Sequence, residues 1–384
     1  MAMRLVDVCA FYTPHGGGVK TYVEQKLRIG PELGAEIVIL APGDRYEVLE
    51  RGPGARIVMI PSPRLIVDRR YWYFGDKAAL HQALDELAPD LVEVGSPWRS
   101  PAWVADWYGK VPRSLFMHAD PMTAYAYRWF DPLLPRSATD RLFAPYWRHI
   151  RALSHRYDSV ICASKDLQDR LVGGGVEHTN LVPMGVEAGA FSPANRDPAL
   201  RKQLLADLGL PESAGLLLTI GRLSAEKRWS VVIEGVKRVS QDRPLGLILL
   251  GEGREKPQVL RAIGSNPHIR LLEPVRDRPR FAAMVASADA VVQGGDAETF
   301  GLATAEALAS GTPVVVPDKG AATEHAAGSG GVIYKAADPD ALAAAIGDLA
   351  ARNWPRSKER VTTMRDHFEQ LFTHYQALIA AHKG

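Results

Sequence analysis

Short apolar runs alternate with amphipathic segments along the 384-residue chain, and this alternation restricts the possible folds more than any other feature. The runs are rich in valine, isoleucine and leucine and are largely apolar on both faces, as buried parallel strands are. Amphipathic segments such as 18–28 and 77–88 separate them. Repeated strand–helix units predict doubly wound parallel sheets with helices on both faces. The predicted strands before residue 183 are 4–10, 36–40, 56–60, 90–94, 114–118 and 159–163.

The alternation breaks at residues 183–200, where prolines, glycines and polar residues follow one another without a period. It then restarts, which predicts two α/β domains, residues 1–185 and 186–360, joined by a linker. Helical spacing over 357–382 predicts a long final helix, and we expect residues 361–384 to pack back towards the first domain. Two such domains leave a cleft, and ligands of open α/β sheets bind beyond the carboxyl ends of the strands. The second set of predicted strands is 216–221, 246–253, 269–273, 289–293 and 312–317.

Charge and cysteine content narrow the function classes. Lysine and arginine total 46 against 44 for aspartate and glutamate, a formal net charge of +2, so we expect no nucleic-acid partner. Cys9 and Cys162 are too few for a disulfide framework or a cysteine-rich zinc site, which indicates a reducing compartment with both thiols in the core. The first apolar run is too short for a signal peptide, and no stretch of about 18 apolar residues is present, so we expect a cytoplasmic protein.

A glycine-rich loop, His-Gly-Gly-Gly-Val at 15–19, follows the first predicted strand and opens a helix. Consecutive glycines let a ligand approach the backbone, and the free N–H groups of a helix N-terminus favour an anion. A plain strand-to-helix turn has the same sequence requirements. For this loop alone, both interpretations stay open.

A basic segment, Gly-Arg-Leu-Ser-Ala-Glu-Lys-Arg at 221–228, follows the first strand of the second domain. Arg222 and Lys227 lie on either side of one strand-to-helix turn, where both cations can converge on a diphosphate. The alternative is a pair of solvated surface cations.

An acidic segment at 296–315 is the most informative part of the sequence. Glu298 lies just before a predicted helix, and Glu306 is expected two turns inside it. The free N–H groups of the helix start at residues 299–302 can hold a phosphate. The two carboxylates can accept hydrogen bonds from hydroxyl groups of a sugar and of a ribose, whereas a solvated helix would use Glu298 only to complement its dipole.

These segments, in this order, resemble the retaining glycosyltransferases of family 4. The ordered set covers almost the whole chain and is specific, although residues 120–157 match nothing in it. Arg228 and Glu187 depart from the family pattern, which commonly has glycine and aspartate there. The family implies a GT-B fold, in which two Rossmann-like domains face each other across a cleft and bind acceptor and nucleotide-sugar donor, respectively. The matching pieces are HGGGV, FMHAD (116–120), SVICASKDLQDRL (159–171), VPMGVEAGAFSP (182–193), GRLSAEK, LLGEG (249–253) and ETFGLATAEALASGTPVV (298–315).

The resemblance also implies roles for individual residues. Arg222 and Lys227 would stabilise the leaving diphosphate, while Glu298 would bind the transferred sugar and His118 would contact it. Glu306 would hold the donor ribose. The other implied donor-binding residues are Gly17, Gly18, Gly221, Val275 (by its backbone, to the nucleobase), Phe300, Gly301 and Leu302, and on the acceptor side we expect His15, Asp120 and Tyr125. Asp120 could equally orient His118 or be a carboxylate of a surface turn.

The expected reaction moves a hexose or related sugar from a nucleotide sugar to a hydroxyl acceptor. Uridine nucleotides are the more common donors, and users of GDP-mannose share these motifs. Cleavage of the anomeric bond builds negative charge on the diphosphate, which fixed cations and helix N–H groups stabilise. No carboxylate has the pattern of a nucleophile, so we expect attack on the same face without a covalent intermediate. Asp338-Pro339-Asp340 is better explained as a helix N-cap than as a metal site, so we expect neither a metal nor another cofactor.

One further stretch bears on the acceptor. Residues 125–156 contain six arginines and two aspartates, a net charge of +4, interleaved with tryptophan, tyrosine and phenylalanine. This composition suits an anionic membrane surface and a lipid-linked acceptor, but ordinary helices with aromatic core faces would have it too. Two other function classes remain open, an epimerase or hydrolase that consumes the donor alone and a nucleotide-sugar sensor that binds without turnover.

Overall fold

The computed structural model describes residues 3–10, 12, 18–65, 72–95, 99–130, 133–327, 329–358 and 361–383. The chain divides into two compact units. The first comprises Met1–Pro121, Trp129–Met184 and Met364–Gly384, and the second comprises Met122–Arg128 and Gly185–Thr363. The short segment Met122–Arg128 was predicted to belong to the first domain, but it groups with the second unit.

The strands, in chain order, are β1 (Met3–Val8), β2 (Ala35–Gly43), β3 (Glu47–Gly52), β4 (Ala55–Pro61), β5 (Leu91–Val94), β6 (Arg113–Met117), β7 (Ser159–Cys162), β8 (Thr179–Leu181), β9 (Gly215–Ile220), β10 (Leu245–Leu250), β11 (Ile269–Leu272), β12 (Ala290–Val292), β13 (Val314–Pro317) and β14 (Val332–Tyr334).

The α-helices are α1 (Gly18–Glu32), α2 (Lys77–Leu87), α3 (Arg99–Ala105), α4 (Arg128–Phe130), α5 (Arg136–Leu142), α6 (Ala144–Ser154), α7 (Lys165–Gly173), α8 (Pro198–Asp207), α9 (Trp229–Val239), α10 (Lys256–Ile263), α11 (Arg278–Ser287), α12 (Leu302–Ala309), α13 (Ala322–Ala326), α14 (Pro339–Ala351) and α15 (Met364–Lys383). A π-helical turn spans Met122–Tyr127, and short 3₁₀ turns span Pro193–Asn195 and Ala225–Lys227. In the described part of the chain, no helix is long and apolar enough to cross a membrane.

Each unit is built on one sheet. The first sheet has the strand order β3-β4-β2-β1-β5-β6-β7-β8, and the second has the order β11-β10-β9-β12-β13-β14. Every pairing is parallel except that of β3 with β4. Each predicted strand is present, but β3, β8 and β14 were not predicted. All three lie at sheet edges, where a strand is not buried on both faces and so lacks the continuous apolar run that identified the others.

The second unit has apolar layers on both faces of its sheet, as the doubly wound prediction requires. Along β9, Leu216 and Leu218 belong to one core cluster and Leu217 belongs to the other, because successive side chains of a strand point to opposite faces. Helices α11 and α12 supply Val285 and Leu308 to the first cluster, which also contains Phe281 and Ala307. Helices α9 and α14 supply the second through Val232, Val236, Leu342 and Ile346.

The closing helix α15 begins at Met364, not at residue 357 as predicted. The residues before it are bonded within the second unit, where Arg356 donates to the carbonyl oxygen of Ala288 over 2.8 Å and the N–H of Ser357 donates to Gly311 over 3.0 Å. Helix α15 itself belongs to the first unit, where the Phe368 ring lies 5.4 Å from that of Tyr22 on α1. Cys9 and Cys162 are buried and are not part of a disulfide, which confirms that both lie in the core.

A buried group of charges lies between the first sheet and its helices. The Lys26 ammonium on α1 lies 2.7 Å from Asp7 on β1 and 2.6 Å from Glu93 on β5, and the three side chains are 0%, 2% and 0% exposed. Asp7 and Glu93 are direct neighbours in the parallel register of β1 and β5. Tyr375 of α15 donates its hydroxyl to Glu93 over 2.8 Å. We call Asp7, Lys26 and Glu93 the sealed cluster.

Candidate functional site

Two loops of the second unit follow neighbouring parallel strands. The cation loop, residues 221–228, follows β9, and the carboxylate loop, residues 294–301, comes soon after β12. The carboxyl ends of parallel neighbours meet at one edge of a sheet, so these loops lie together. A Cβ on Gly294 would come within 2.7 Å of the Lys227 carbonyl oxygen and 2.9 Å of that of Arg228. Only glycine allows this approach of one backbone to the other.

The structure brings two predicted site residues into contact. The Lys227 ammonium pairs with the Glu298 carboxylate, and the side chains are 21% and 19% exposed. Each side chain is thus partly accessible to solvent, and each neutralises the charge of the other. A lysine and a glutamate in this arrangement can take an anion and hydroxyl groups, respectively.

Arg222 lies on the same loop as Lys227, but its side chain is more exposed. Its side chain is 65% exposed, and its guanidinium lies 3.5 Å from Glu226. Its carbonyl oxygen accepts a hydrogen bond from the indole of Trp229 over 3.2 Å, which fixes the backbone and not the charge. The convergence of Arg222 and Lys227 on one diphosphate remains a prediction.

A second ion pair between the same loops was not predicted. Arg228 Nε and Nη2 lie 3.0 and 2.8 Å from the two carboxylate oxygens of Asp296, a two-pronged contact. Arg228 has φ 47° and ψ 45°, a left-handed conformation that costs a residue with a side chain about 1–2 kcal/mol. In the sequence, the only sign of this pair was an arginine at a position where the family commonly has glycine. The spacing of residues gave no sign that Asp296 would be the partner of Arg228.

Helix α12 places Glu306 in a largely buried position. The helix begins at Leu302 after its N-cap Gly301, so Glu306 lies about one turn inside it and not two as predicted. Burial raises the pKa of Glu306 to about 7, against the opposing effect of Arg278, whose guanidinium lies 3.4 Å from the carboxylate. Arg278 also lies 3.2 Å from Glu187. We call Glu187, Arg278 and Glu306 the open cluster.

The other predicted donor-binding residues of the second unit differ in burial and in their contacts. Phe300 is buried, and its carbonyl oxygen lies 2.7 Å from Nε2 of His325, whose ring meets the Phe300 ring edge to face. Val275 is partly buried against the core. Gly221, Gly301 and Leu302 lie at the loop and helix ends expected of them.

In the first unit, His118 follows β6 directly. Its ring stacks on Phe116 with centroids 4.2 Å apart and meets Tyr22 edge to face at 5.0 Å. A Cβ on Gly95 would lie 2.9 Å from the imidazole, so glycine leaves room for the ring. Burial, reinforced by the positive charge of Lys26, lowers the pKa of His118 to about 3. The imidazole is therefore neutral at physiological pH.

The predicted acceptor residues have different surroundings. Asp120 is 5% exposed and lies 2.8 Å from Nε of Arg170, so its interpretation as a carboxylate of a surface turn is wrong. Tyr125 lies in the π-helical turn and is 51% exposed. Gly18 is the first residue of α1, where a Cβ would meet open space. His15 and Gly17 lie outside the described residues.

The Asp-x-Asp sequence caps a helix, as predicted. Asp338 accepts hydrogen bonds from the backbone N–H groups of Asp340 and Ala341 over 3.0 and 3.1 Å, at the N-terminus of α14. These bonds lower the pKa of Asp338. Among the residues that the structure describes, no three histidine, cysteine, aspartate or glutamate side chains cluster as metal ligands. Metal independence remains a prediction.

Two family models match most of the chain. Residues 214–352 match "Glycosyl transferases group 1", and residues 17–186 match "Glycosyl transferase 4-like domain". The chain belongs to this glycosyltransferase family. The family resemblance drawn from the sequence is therefore confirmed, and so is the two-domain α/β architecture.

Relatives of this glycosyltransferase include two mannosyltransferases from Mycobacterium tuberculosis. A "GDP-mannose-dependent alpha-(1-6)-phosphatidylinositol dimannoside mannosyltransferase" is 30% identical, with 91% of this chain and 88% of the relative aligned. A "GDP-mannose-dependent alpha-mannosyltransferase" is 25% identical over 83% of this chain and 80% of the relative. Among solved structures, sucrose-phosphate synthase from Thermosynechococcus elongatus has the same fold, with a TM-score of 0.76 at 18% identity, over 99% of this glycosyltransferase and 100% of that chain.

Proposed function

We propose that this glycosyltransferase transfers mannose from GDP-mannose, with retention of configuration and without a metal ion, to a hydroxyl group of a lipid-linked acceptor. The names of the two mycobacterial relatives favour GDP-mannose over the uridine nucleotides that are the more common donors. The single observation that carries the proposal is the contact of Lys227 with Glu298 across two adjoining loops. It supports the proposal because a diphosphate needs a cation and sugar hydroxyl groups need a hydrogen-bond acceptor, and this pair brings the two kinds of group together.

Donor binding would give both residues new partners. Lys227, together with Arg222, would neutralise the diphosphate, and Glu298 would accept hydrogen bonds from the mannosyl hydroxyl groups. The negative charge that develops on the leaving diphosphate would then meet a fixed cation in the transition state. Loss of one such stabilising group typically lowers kcat by about 10²- to 10³-fold.

The ribose would lie against Glu306, the buried carboxylate of the open cluster. The opposing effect of Arg278 favours the ionised form of Glu306, which accepts hydrogen bonds from two hydroxyl groups better than the protonated form does. Val275 would present its backbone to the base, as the family resemblance implies.

Retention would follow from attack on the face that the diphosphate leaves. The bond from the anomeric carbon to the phosphate oxygen breaks, and a bond to the acceptor oxygen forms on the same face. The acceptor proton passes to the released phosphate oxygen, and the products are GDP and a mannoside. His118, neutral at physiological pH, would contact the sugar by hydrogen bonding without adding a charge.

The lipid-linked acceptor is supported by exposed apolar side chains in the basic stretch. Tyr127 and Trp147 are buried as ordinary core residues, so the soluble-core interpretation holds for part of the stretch. Others are exposed to an extent unusual for large apolar side chains, namely Tyr125 (51%), Trp129 (56%), Leu133 (79%) and Leu142 (56%). Arginines 128, 136, 141 and 148 accompany them in sequence. Each basic residue near an anionic surface adds about 1 kcal/mol to binding.

The test is a transfer assay with GDP-mannose labelled in the sugar and phosphatidylinositol dimannoside in anionic vesicles. We expect label in the lipid fraction, insensitivity to chelation and an α-linked product. Lys227→Ala and Glu298→Gln should lower the rate by about 10²- to 10³-fold. Lys237→Ala, which removes a partly exposed ion pair on α9, is the control and should not.

Several outcomes would contradict the proposal. Release of free mannose without an acceptor would indicate a hydrolase, and tight binding without any turnover would indicate a sensor. Activity lost on chelation and restored by manganese would show that a metal is required. Protein that sediments equally with neutral and anionic vesicles, or with neither at low salt, would contradict the membrane interpretation.

A further inference from the structure

Two ion pairs join the cation loop to the carboxylate loop, and they differ in character. The side chains of Lys227 and Glu298 are both about one-fifth exposed, and their ion pair is one contact between the ammonium and one carboxylate oxygen. Arg228 and Asp296 meet through two parallel contacts of 3.0 and 2.8 Å, and the Asp296 side chain is only 8% exposed. A two-pronged guanidinium–carboxylate contact fixes orientation as well as distance, which a lysine contact does not.

The backbone at Arg228 gives the second observation. With φ 47° and ψ 45°, this residue has a conformation in which glycine would be unstrained. The chain nevertheless has an arginine here, directly after the lysine of the cation loop. Backbone strain of this kind persists where the surrounding structure enforces it, and it is common at functional sites.

We propose that Arg228 is a positioning residue whose contact with Asp296 sets the separation of Lys227 from Glu298, so that one sugar diphosphate can reach both. This inference rests on the proposed function, because it takes the two loops to bind the donor. When Lys227 turns to the diphosphate and Glu298 turns to the sugar, they give up their mutual contact. The Arg228–Asp296 pair, with its buried carboxylate, is not exchanged and keeps the loops together.

The inference predicts different effects on the binding of GDP and of GDP-mannose. GDP engages the cation loop through its diphosphate and does not need Glu298, whereas GDP-mannose needs both loops at once. Loss of the Arg228–Asp296 contact should therefore weaken binding of the nucleotide sugar more than binding of the nucleotide. A merely structural pair would affect both ligands alike.

The experiment uses Arg228→Lys, Asp296→Asn and Arg228→Gly in the full chain. Calorimetric titration gives the Kd of GDP and of GDP-mannose, and amide hydrogen exchange reports on opening of residues 294–301 without any donor. We expect the Kd of GDP to be unchanged, that of GDP-mannose to rise about 10-fold, and kcat for transfer to fall by about 10- to 100-fold as the two groups move apart. The amides of the carboxylate loop should exchange faster in all three variants.

Arg228→Gly is included so that loss of the ion pair can be distinguished from misfolding of the variant. Glycine relieves the left-handed backbone and so offsets part of the stability lost with the ion pair. The Tm should therefore fall less than in Arg228→Lys, while the preference for the sugar nucleotide is lost as fully. The matched control is Arg201→Lys, because Arg201 lies 2.7 Å from Asp289 within the same unit but outside both loops. It should lower the Tm and leave the ratio of the two Kd values unchanged.

An unchanged ratio and unchanged exchange in Arg228→Lys and Asp296→Asn would overturn the inference. So would a parallel weakening of both ligands together with a lower Tm, the pattern expected of Arg201→Lys. If the wild type binds neither ligand, the proposed function fails. The exchange measurement then still decides whether the pair holds the loops together.

Discussion

The sealed cluster of the first unit and the open cluster of the second have the same composition, one cation between two carboxylates. Lys26 lies 2.7 and 2.6 Å from its partners, and none of the three side chains is more than 2% exposed. Arg278 lies 3.2 and 3.4 Å from its partners and is 39% exposed. Burial raises the pKa of Glu93 and of Glu306 alike, each to about 7. A perturbed carboxyl group therefore does not by itself identify a binding site.

What distinguishes the clusters is whether their partners can be exchanged. Every contact of the sealed cluster that is described above leads to another element of the first unit, including α15 through Tyr375. No ligand could replace one of these partners without opening the core. In the open cluster the contacts are longer and the guanidinium of Arg278 is exposed, so a ligand could displace it from Glu306 without opening the core. The same charges thus belong to a closed core in one unit, and in the other they could serve the proposed binding of the donor.

The largest expected effect is on the sealed cluster. Lys26→Met leaves two carboxylates buried without their cation, and breaking a buried pair in this way typically costs about 3–5 kcal/mol. Urea denaturation at pH 8 should show a loss of this size in the free energy of unfolding. The loss should be smaller at pH 5, because removal of Lys26 raises the pKa of Glu93 further and protonation then removes the charge.

The control for this prediction is Lys77→Met. Lys77 pairs with Asp106 at the surface, with both side chains more than one-third exposed, so its removal should cost less than about 1 kcal/mol. A loss of similar size in both variants would mean that the sealed cluster contributes no more to stability than a surface ion pair does.

A smaller effect, with a defined pH dependence, is expected at Glu306. Its pKa is about 7 in the folded protein, against 4.5 as the ordinary value, so the folded state keeps a proton that the unfolded chain has already released between these values. The unfolding free energy contributed by this group therefore falls as pH rises through that window. Glu306→Gln removes the penalty and should be more stable than the wild type at pH 8, by up to about 3 kcal/mol at about 1.4 kcal/mol per pH unit.

Asp338→Asn is the control of opposite sign. Its N-cap hydrogen bonds lower the pKa of Asp338, so the charged carboxylate stabilises the fold at neutral pH and this contribution is lost as pH falls. The variant should therefore lose stability at neutral pH and match the wild type in acid. If Glu306→Gln behaves in the same way, the direction given for Glu306 is wrong.

The sequence predicted the strands of both sheets wherever they are buried on both faces. Its ordered motifs supplied the candidate site residues, whose roles stay predictions. It failed where the determinants are not local. Edge strands such as β3 lack the apolar run, and the start of α15 depends on contacts of Arg356 with a distant part of the chain. Arg278, the first residue of α11, and Asp296, in the carboxylate loop, were missed because the partner of such a charged residue is set by the fold and not by its sequence neighbours.

The smallest effect on stability, and the sharpest test of the comparison, is expected at Arg278. Arg278→Gln removes a partly exposed cation from two carboxylates. Glu187 is itself partly exposed and the buried Glu306 can take up a proton, so the free energy of unfolding should fall by less than in Lys26→Met. Ligand binding should change more. Without Arg278 the pKa of Glu306 rises above 7, its carboxyl is more often protonated at pH 7, and the affinity for GDP should fall about 10-fold. Calorimetric titration from pH 6 to 9 should show that affinity recovering at the alkaline end, with Arg278→Lys intermediate. A stability loss as large as that of Lys26→Met would erase the distinction between the clusters, and a pH-independent affinity would separate Arg278 from ribose binding.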